Sequence, residues 1–109
     1  MALRFHNTLT QKIEDFSPLQ DNIVRMYTCC PTVWNYAHIG NLRTFTFQDI
    51  LRRWLRYRGY QLDHVMNLTD VDDRIIQQAV AAGKSLGEFT EVYARAFMED
   101  AAAMRLERA

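Results

Sequence analysis

The arrangement of apolar and polar residues predicts three strands in this chain. A weak alternation runs from Leu3 to Thr10. A longer apolar run, from Ile23 to Cys29, is typical of a buried strand and stops at Pro31, which has no N–H for a strand ladder. The third stretch, from Tyr60 to Leu68, alternates again and is short enough for a strand.

The longest periodic segment, from Asn41 to Arg58, predicts an amphipathic helix. Gly59 follows it, where a left-handed cap is expected. Apolar residues recur every three or four positions and are expected to form one wide stripe: Leu42, Phe45, Phe47, Ile50, Leu51, Trp54 and Leu55. Four arginines are expected on the opposite, solvated face: Arg52, Arg53, Arg56 and Arg58.

Two further helices are predicted in the second half of the chain. Thr69 can cap the first of them, which runs to about Ala82 and ends at Gly83. Ser85 and Glu88 have the spacing of a capping box, in which each side chain bonds the other residue's backbone N–H. Apolar residues then follow with helical spacing: Leu86, Phe89, Tyr93, Phe97 and Met104.

The order strand–helix–strand–helix–helix predicts an α/β fold built on a βαβ unit. Two parallel strands joined by a right-handed crossover helix are the expected core. A parallel sheet needs cover on both faces and neighbours at its edges, and few strands are present to supply them. We therefore expect residues 1–109 to be the N-terminal portion of a larger nucleotide-binding domain, which this chain leaves incomplete.

Composition narrows the classes of function. The 109 residues are 49% hydrophobic, which is enough for a core, and the formal net charge is zero. No global field therefore attracts nucleic acid, and contact with RNA would require a local patch. No apolar run approaches the roughly 18 residues of a membrane span, so no membrane partner is expected. Cys29 and Cys30 are adjacent and are expected to be free thiols, which favours a reducing cytoplasm.

Candidate chemistry is concentrated between the second strand and the long helix. A loop there ends in His38-Ile39-Gly40-Asn41, directly before the helix. A helix N-terminus suits a phosphate, because unpaired N–H groups and the positive end of the helix dipole meet there. Gly40 allows close approach of the backbone, and His38 and Asn41 add side-chain donors. Cys29, at the carboxyl end of its strand, would face the same crevice.

The segment His38-Ile39-Gly40-Asn41 resembles the nucleotide signature of class I aminoacyl-tRNA synthetases, in which the fourth residue is histidine or asparagine. Its flanking segments narrow the likeness to the N-terminal part of cysteinyl-tRNA synthetases. These segments are Met26–Cys29, Pro31–Val33 and Asn67–Ile76. Four segments in the right order are far more specific than one signature. The resemblance implies that the chain is the first half of the Rossmann-like class I synthetase fold.

The resemblance also implies an activity. ATP, with Mg²⁺, would activate cysteine to cysteinyl-adenylate, and the cysteinyl group would pass to the 3′ end of tRNA(Cys). His38 and Asn41 would be catalytic, as donors to the charge that develops on the α-phosphate. The implied ATP-binding residues are Pro31, Thr32, His38, Ile39, Gly40 and Asn41. In this family a lysine-rich loop supplies the remaining donors to the phosphates. This chain has no counterpart of that loop, so the isolated chain is expected to be inactive.

Substrate selection in the family rests on zinc. By resemblance Cys29 would be the first of four Zn²⁺ ligands, and Thr32 would contact the substrate. Cys30 and Asp70 are further candidates for substrate contact, Asp70 because it lies near the carboxyl end of its strand. Cys30 departs from the family, which usually has glycine at that position. Each of these residues could instead have a simpler structural role. Cys29 could be a small buried residue, Thr32 a backbone-bonded hydroxyl, and Asn41 a plain helix cap. Helix capping is also the preferred role of Asp72 and Asp73.

Two other functions remain open from the sequence. A related cysteine ligase would activate cysteine in the same way but transfer it to a sugar amine. Alternatively, the chain could be a non-catalytic module that binds a nucleotide or a partner. For the synthetase and for the related cysteine ligase, the expected partners are ATP, cysteine and the C-terminal half of the fold.

Overall fold

The structure is a computed structural model that describes residues 2–109. It contains four strands and three helices within that range. In chain order they are β1 (Arg4–Asn7), β2 (Lys12–Asp15), β3 (Ile23–Thr28), α1 (Ile39–Tyr57), β4 (Gln61–Met66), α2 (Asp73–Ala82) and α3 (Leu86–Ala103).

The predicted βαβ unit is confirmed. Strands β3 and β4 pair in parallel, with Ile23 opposite Gln61 and Thr28 opposite Met66. Helix α1 is the crossover between them. The left-handed conformation predicted for Gly59 is also present, with φ of 89°, and lets the chain leave α1 and enter β4 within a few residues.

The N-terminal region differs from the prediction of one strand. Strand β1 covers only Arg4–Asn7, and the chain turns back to form β2, which pairs with it antiparallel. Strand β2 was not predicted, because three of its four residues are charged and its residues are mostly exposed. Phe16 packs edge-on against Phe5, at 5.4 Å between ring centroids, and also against Tyr60. These ring contacts attach the hairpin to the βαβ unit.

The N-caps predicted at Asn41 and Thr69 are wrong, whereas the capping roles predicted for Asp72 and Ser85 are confirmed. Helix α1 begins at Ile39, two residues earlier than predicted, and His38 is its N-cap. Helix α2 is capped by Asp72, whose carboxylate accepts the N–H of Ile75 at 2.7 Å. Thr69 is unavailable for capping because it pairs with Thr32 in an extension of the β3–β4 pairing. The capping box of Ser85 at the start of α3 is confirmed.

The single wide apolar stripe predicted for α1 is also wrong. The buried face contains Phe45 and Leu55, but between them lie Asp49 and Arg52, both buried. Arg52 is only 3% exposed, which contradicts its predicted place on a solvated face. Several apolar residues of the predicted stripe are instead exposed on another face: Phe47, Ile50 and Trp54.

The helices α2 and α3 pack together around a small apolar core. Ile75, Ala79 and Phe89 are buried there, and Trp34 packs against them. Trp34 is therefore a packing residue. Phe97 of α3 contacts Phe45 of α1, at 5.0 Å between ring centroids. No helix within residues 2–109 combines the length and apolar character required of a membrane span.

Candidate active site

A cleft of about 750 Å³ lies where the loop after β3 meets the amino end of α1. Carboxyl ends of parallel strands and the N-terminus of the crossover helix meet at one edge of a βαβ unit, so the topology itself creates this crevice. Six of the residues predicted for the site line the cleft: Cys29, Cys30, Pro31, Thr32, His38 and Asn41.

His38 is held in a defined orientation at this edge. Its backbone is extended, and its Nδ1 accepts the N–H of Gly40 at 3.0 Å. Because Nδ1 is the acceptor, the proton of the neutral ring is on Nε2, which is then a donor. A Cβ at position 40 would lie 3.2 Å from Nδ1. Gly40 therefore gives the His38 ring room to fold back on the helix, a role that the sequence did not predict.

Asn41 completes a reciprocal capping box with His38. Its side-chain Oδ1 accepts the backbone N–H of His38 at 2.9 Å. The amide NH₂ of Asn41 is not used in this bond and is a donor at the edge of the cleft. Asn41 therefore takes part in capping as the third helical residue, and not as the N-cap. Capping and ligand binding are compatible here, because each side chain uses one polar atom for the helix and retains another.

The two cysteines have different environments. Cys29 is exposed and lines the cleft, whereas Cys30 is buried. The Sγ of Cys30 accepts the N–H of Thr69 at 3.1 Å and donates to the carbonyl of Pro31 at 3.0 Å. Burial raises the pKa of the Cys30 thiol, although the hydrogen bonds from Thr69 favour the thiolate. Cys30 thus joins the two strand ends, and its contact with a substrate stays a prediction.

Thr32 and Thr69 carry the parallel pairing past the ends of the strands. The N–H of Val33 donates to the carbonyl of Thr69 at 3.0 Å, and the N–H of Thr69 donates to Pro31 at 3.3 Å. Val33 is almost completely buried beneath this pairing. The floor of the cleft is consequently fixed by backbone hydrogen bonds, and Pro31 and Thr32 are held on it.

Not all predicted residues reach the cleft. Ile39 and Gly40 lie at its edge on α1 without lining it, and Asp70 is exposed on the turn before α2. A substrate role for Asp70 stays a prediction.

A zinc ion usually takes four ligands. Cys29 supplies one accessible thiol, and Cys30 is engaged by the backbone. Across residues 2–109 no three side chains of the His, Cys, Asp or Glu type lie together as a metal site. The described residues do not make a zinc site by themselves.

Sequence reasoning missed two residues of α1 at the site. Thr44 lines the cleft, and the Nε2 of Gln48 donates to the carbonyl of Cys29 at 3.3 Å. Both follow Asn41 at helical spacing, so the face that carries His38 and Asn41 continues through them. That periodicity is the signal that could have identified them.

A buried ion pair lies behind the cleft on α1. The carboxylate of Asp49 accepts from Arg52 at 3.0 Å, from Arg53 at 2.7 Å and from the backbone N–H of Glu107 at 2.8 Å. Burial opposes ionisation of Asp49, but these hydrogen bonds outweigh it, and its pKa is below the ordinary value. The pair anchors the segment after α3 to α1, which no local pattern predicted.

Comparison with known proteins identifies the family. Residues 15–109 match the family model described as the tRNA synthetases class I (C) catalytic domain. The chain belongs to this class I (C) synthetase family. The resemblance stated from the sequence is thereby confirmed, and so is the α/β fold class, of which the parallel pair and its crossover helix are the described part.

Several members of the class I (C) synthetase family are close in sequence. The cysteine--tRNA ligase of Solibacter usitatus is 62% identical over 108 residues, which are 99% of this chain and 23% of that protein. The cysteine--tRNA ligase of Koribacter versatilis is 57% identical over 107 residues, 98% of this chain and 22% of that protein. That of Thermococcus onnurineus is 46% identical over 109 residues, 100% of this chain and 23% of that protein. The chain thus spans less than a quarter of the length of these curated relatives.

Proposed function

We propose that this chain is the N-terminal part of the catalytic domain of a cysteine–tRNA ligase, and that its cleft binds ATP and cysteine for adenylate formation. One observation carries the proposal. His38 and Asn41 form a capping box at the amino end of α1, and each retains a donor beside the cleft. The relatives named cysteine--tRNA ligase support the choice of amino acid.

The reaction needs charge stabilisation more than proton transfer. A carboxylate oxygen of cysteine attacks the α-phosphorus of ATP, a new P–O bond forms, and the bond to the leaving pyrophosphate breaks. Negative charge grows on the non-bridging oxygens of the α-phosphate. Preorganised donors that meet this charge lower the barrier. The Nε2–H of His38, the NH₂ of Asn41 and the positive end of α1 would act in this way.

The proposed site is one half of a phosphate clamp. The chain has two lysines, Lys12 and Lys84, and neither lies in a lysine-rich loop. Further cationic donors to the triphosphate are therefore assigned to the part of the relatives that this chain does not cover. The remaining ligands of a zinc ion that would bind the substrate thiol are assigned to the same part.

A chimera tests the proposal directly. Residues 1–109 replace the matching segment of the Solibacter usitatus relative, to which the chain is 62% identical. The expected result is cysteine-dependent exchange of pyrophosphate into ATP, at a rate similar to that of the unaltered relative. A folded chimera that binds ATP but gives no exchange with cysteine would contradict the proposal. The isolated chain, assayed in parallel, is expected to give no exchange.

The acceptor in the second step is tested with the same chimera. We expect transfer of cysteine to a tRNA(Cys) transcript, because the similar proteins carry that name. An amino sugar is the matched alternative acceptor. Transfer to the sugar and not to tRNA would indicate the related sugar-amine ligase instead.

A further inference from the structure

A partly buried polar chain links the sheet to α1 behind the cleft. Thr28 of β3 lies opposite Met66 of β4, and His64 is two residues before Met66. Thr28 and His64 are therefore diagonal neighbours on one face of the β3–β4 pair, the face that is less exposed. The Oγ1 of Thr28 is 2.8 Å from Nε2 of His64, and the Nδ1 of His64 is 3.1 Å from Nη1 of Arg52.

The direction of these hydrogen bonds follows from chemistry. A guanidinium has only donors, so Nδ1 of His64 accepts from Arg52. The ring proton is then on Nε2, which donates to the hydroxyl of Thr28. Burial lowers the pKa of His64, and the positive charges of Arg52 and Arg56 lower it further, so the surroundings favour the neutral ring. Arg52 is itself fixed by its ion pair with Asp49.

This polar chain ends next to the proposed site. Thr28 is the last residue of β3, and Cys29 follows it at the cleft. The carbonyl of Cys29 is bonded to Gln48, on the same helix whose first turn is capped by His38. The strand end and α1 are thus tied together by side chains at two points, through Gln48 and through Arg52.

We propose that Arg52, His64 and Thr28 form a positioning relay that sets the end of β3 against α1. The relay aligns Cys29 and Thr32 with the phosphate donors His38 and Asn41. None of the three relay residues lines the cleft. The catalytic part of this inference rests on the proposed function, whereas the structural part concerns the chain alone.

The structural part is tested on the chain itself. Nitrogen NMR of the imidazoles should give His64 as the Nε2–H tautomer. Thr28→Val keeps the side-chain shape and removes the hydroxyl, whereas Thr28→Ser keeps the hydroxyl. Thr28→Val should shift the Nε2 resonance of His64 and increase the rate at which a thiol reagent labels Cys29, with the labelled cysteine located by mass spectrometry. Thr28→Ser should restore both readouts towards the parent chain.

The catalytic part is tested in the chimera. Thr28→Val and His64→Phe should each lower kcat for pyrophosphate exchange by up to about 100-fold, as for a small misplacement of reacting groups, with a smaller change in KM. Thr28→Ser should recover most of the rate.

The outcomes separate the two proposals. An inactive chimera whose Thr28→Val substitution still alters the His64 and Cys29 readouts would overturn the proposed function and support the relay. An active chimera in which Thr28→Val matches Thr28→Ser in all readouts would overturn the relay alone. An Nδ1–H tautomer at His64 would also overturn it, because that ring could not accept from Arg52.

Discussion

Helices α1 and α3 begin with the same type of capping box but different residues. In α3 the box is formed by Ser85 and Glu88, in α1 by His38 and Asn41. Serine is among the preferred N-cap residues, and glutamate is the usual partner three positions later. Histidine is not a favoured N-cap, and glycine at position 40 spares its ring a tight contact, since a Cβ there would lie 3.2 Å from Nδ1. Of the two boxes, the one at the cleft is the one with the less usual residues.

The difference indicates what each box is for. The Ser85 box uses both of its side chains on the backbone and on each other, since Glu88 accepts from the N–H and the hydroxyl of Ser85. In the His38 box, the Nε2–H of His38 and the side-chain NH₂ of Asn41 take no part in the capping hydrogen bonds. A box that only starts a helix has no need of spare donors. Spare donors at a helix N-terminus are what an anionic ligand requires.

Substitution of His38 by serine should have the largest effect on the rate, because it turns the box of α1 into one like that of α3. His38→Ser keeps a good N-cap but removes the Nε2–H donor. In the chimera the rate of pyrophosphate exchange should fall about 10²–10³-fold, the usual cost of one lost donor to developing charge. The free energy of unfolding, measured by urea denaturation, should stay equal or rise. Loss of stability with full activity would show that His38 is only a cap.

A glutamate at position 41 should produce a smaller effect in the same direction. Asn41→Glu gives α1 the same box partner as α3 but places a carboxylate beside the phosphate. We expect kcat/KM for ATP to fall about 10-fold, equivalent to about 1.4 kcal/mol. Asn41→Gln, which keeps a neutral amide, is the matched control and should lose less. Equal losses in the two variants would argue against phosphate binding at this position.

The cap of α3 should matter for stability alone. Ser85→Ala removes the acceptor for the N–H of Glu88, and about 1 kcal/mol of unfolding free energy should be lost. Pyrophosphate exchange by the folded chimera should not change. A decrease in kcat with Ser85→Ala would mean that the two boxes do not divide their roles in this way.

The smallest expected difference between the two boxes is in their response to low pH. The backbone N–H of Ser85, then its hydroxyl, and the charge of Lys84 hold the pKa of Glu88 below its usual value. This stabilisation is therefore present above about pH 4.5, the ordinary value, and is lost as the pH falls through the lowered pKa. Asn41 does not titrate, so the backbone N–H of His38, which donates to the Oδ1 of Asn41, should keep its acceptor. Exchange of the backbone amides of Ser85 and His38 measures this difference, with Glu88→Gln as the control.

Local rules predicted the elements whose causes are local. The turn glycines Gly59 and Gly83 both have positive φ, and the Ser85 box lies at its predicted position. The carboxyl end of β3 and the loop to α1 form the cleft where the parallel topology requires it. The strand β2 was missed because its alternation is weak: its partner β1 holds it in place, and burial contributes little.

Partners distant in sequence account for the errors. Arg52 is buried because His64 and the segment after α3 surround it, and neither is within helical reach of it. Thr69 does not cap α2 as predicted, because its backbone pairs with residues 31–33 instead. His38 displaced Asn41 as the N-cap because its ring could fold over Gly40, a side-chain geometry that spacing does not encode.

The link between Asp49 and Glu107 also bears on how the chain is made. A carboxylate buried in α1 receives one of its hydrogen bonds from a backbone N–H that is 58 residues further along. Translation at about 5–20 residues per second leaves that bond unmade for roughly 3–12 s after Asp49 is polymerised. During this interval Arg53 can still pair with Asp49, since both lie in one helix. The ribosome-bound βαβ unit should therefore acquire its helix early and its full rigidity only once the segment after α3 has left the exit tunnel.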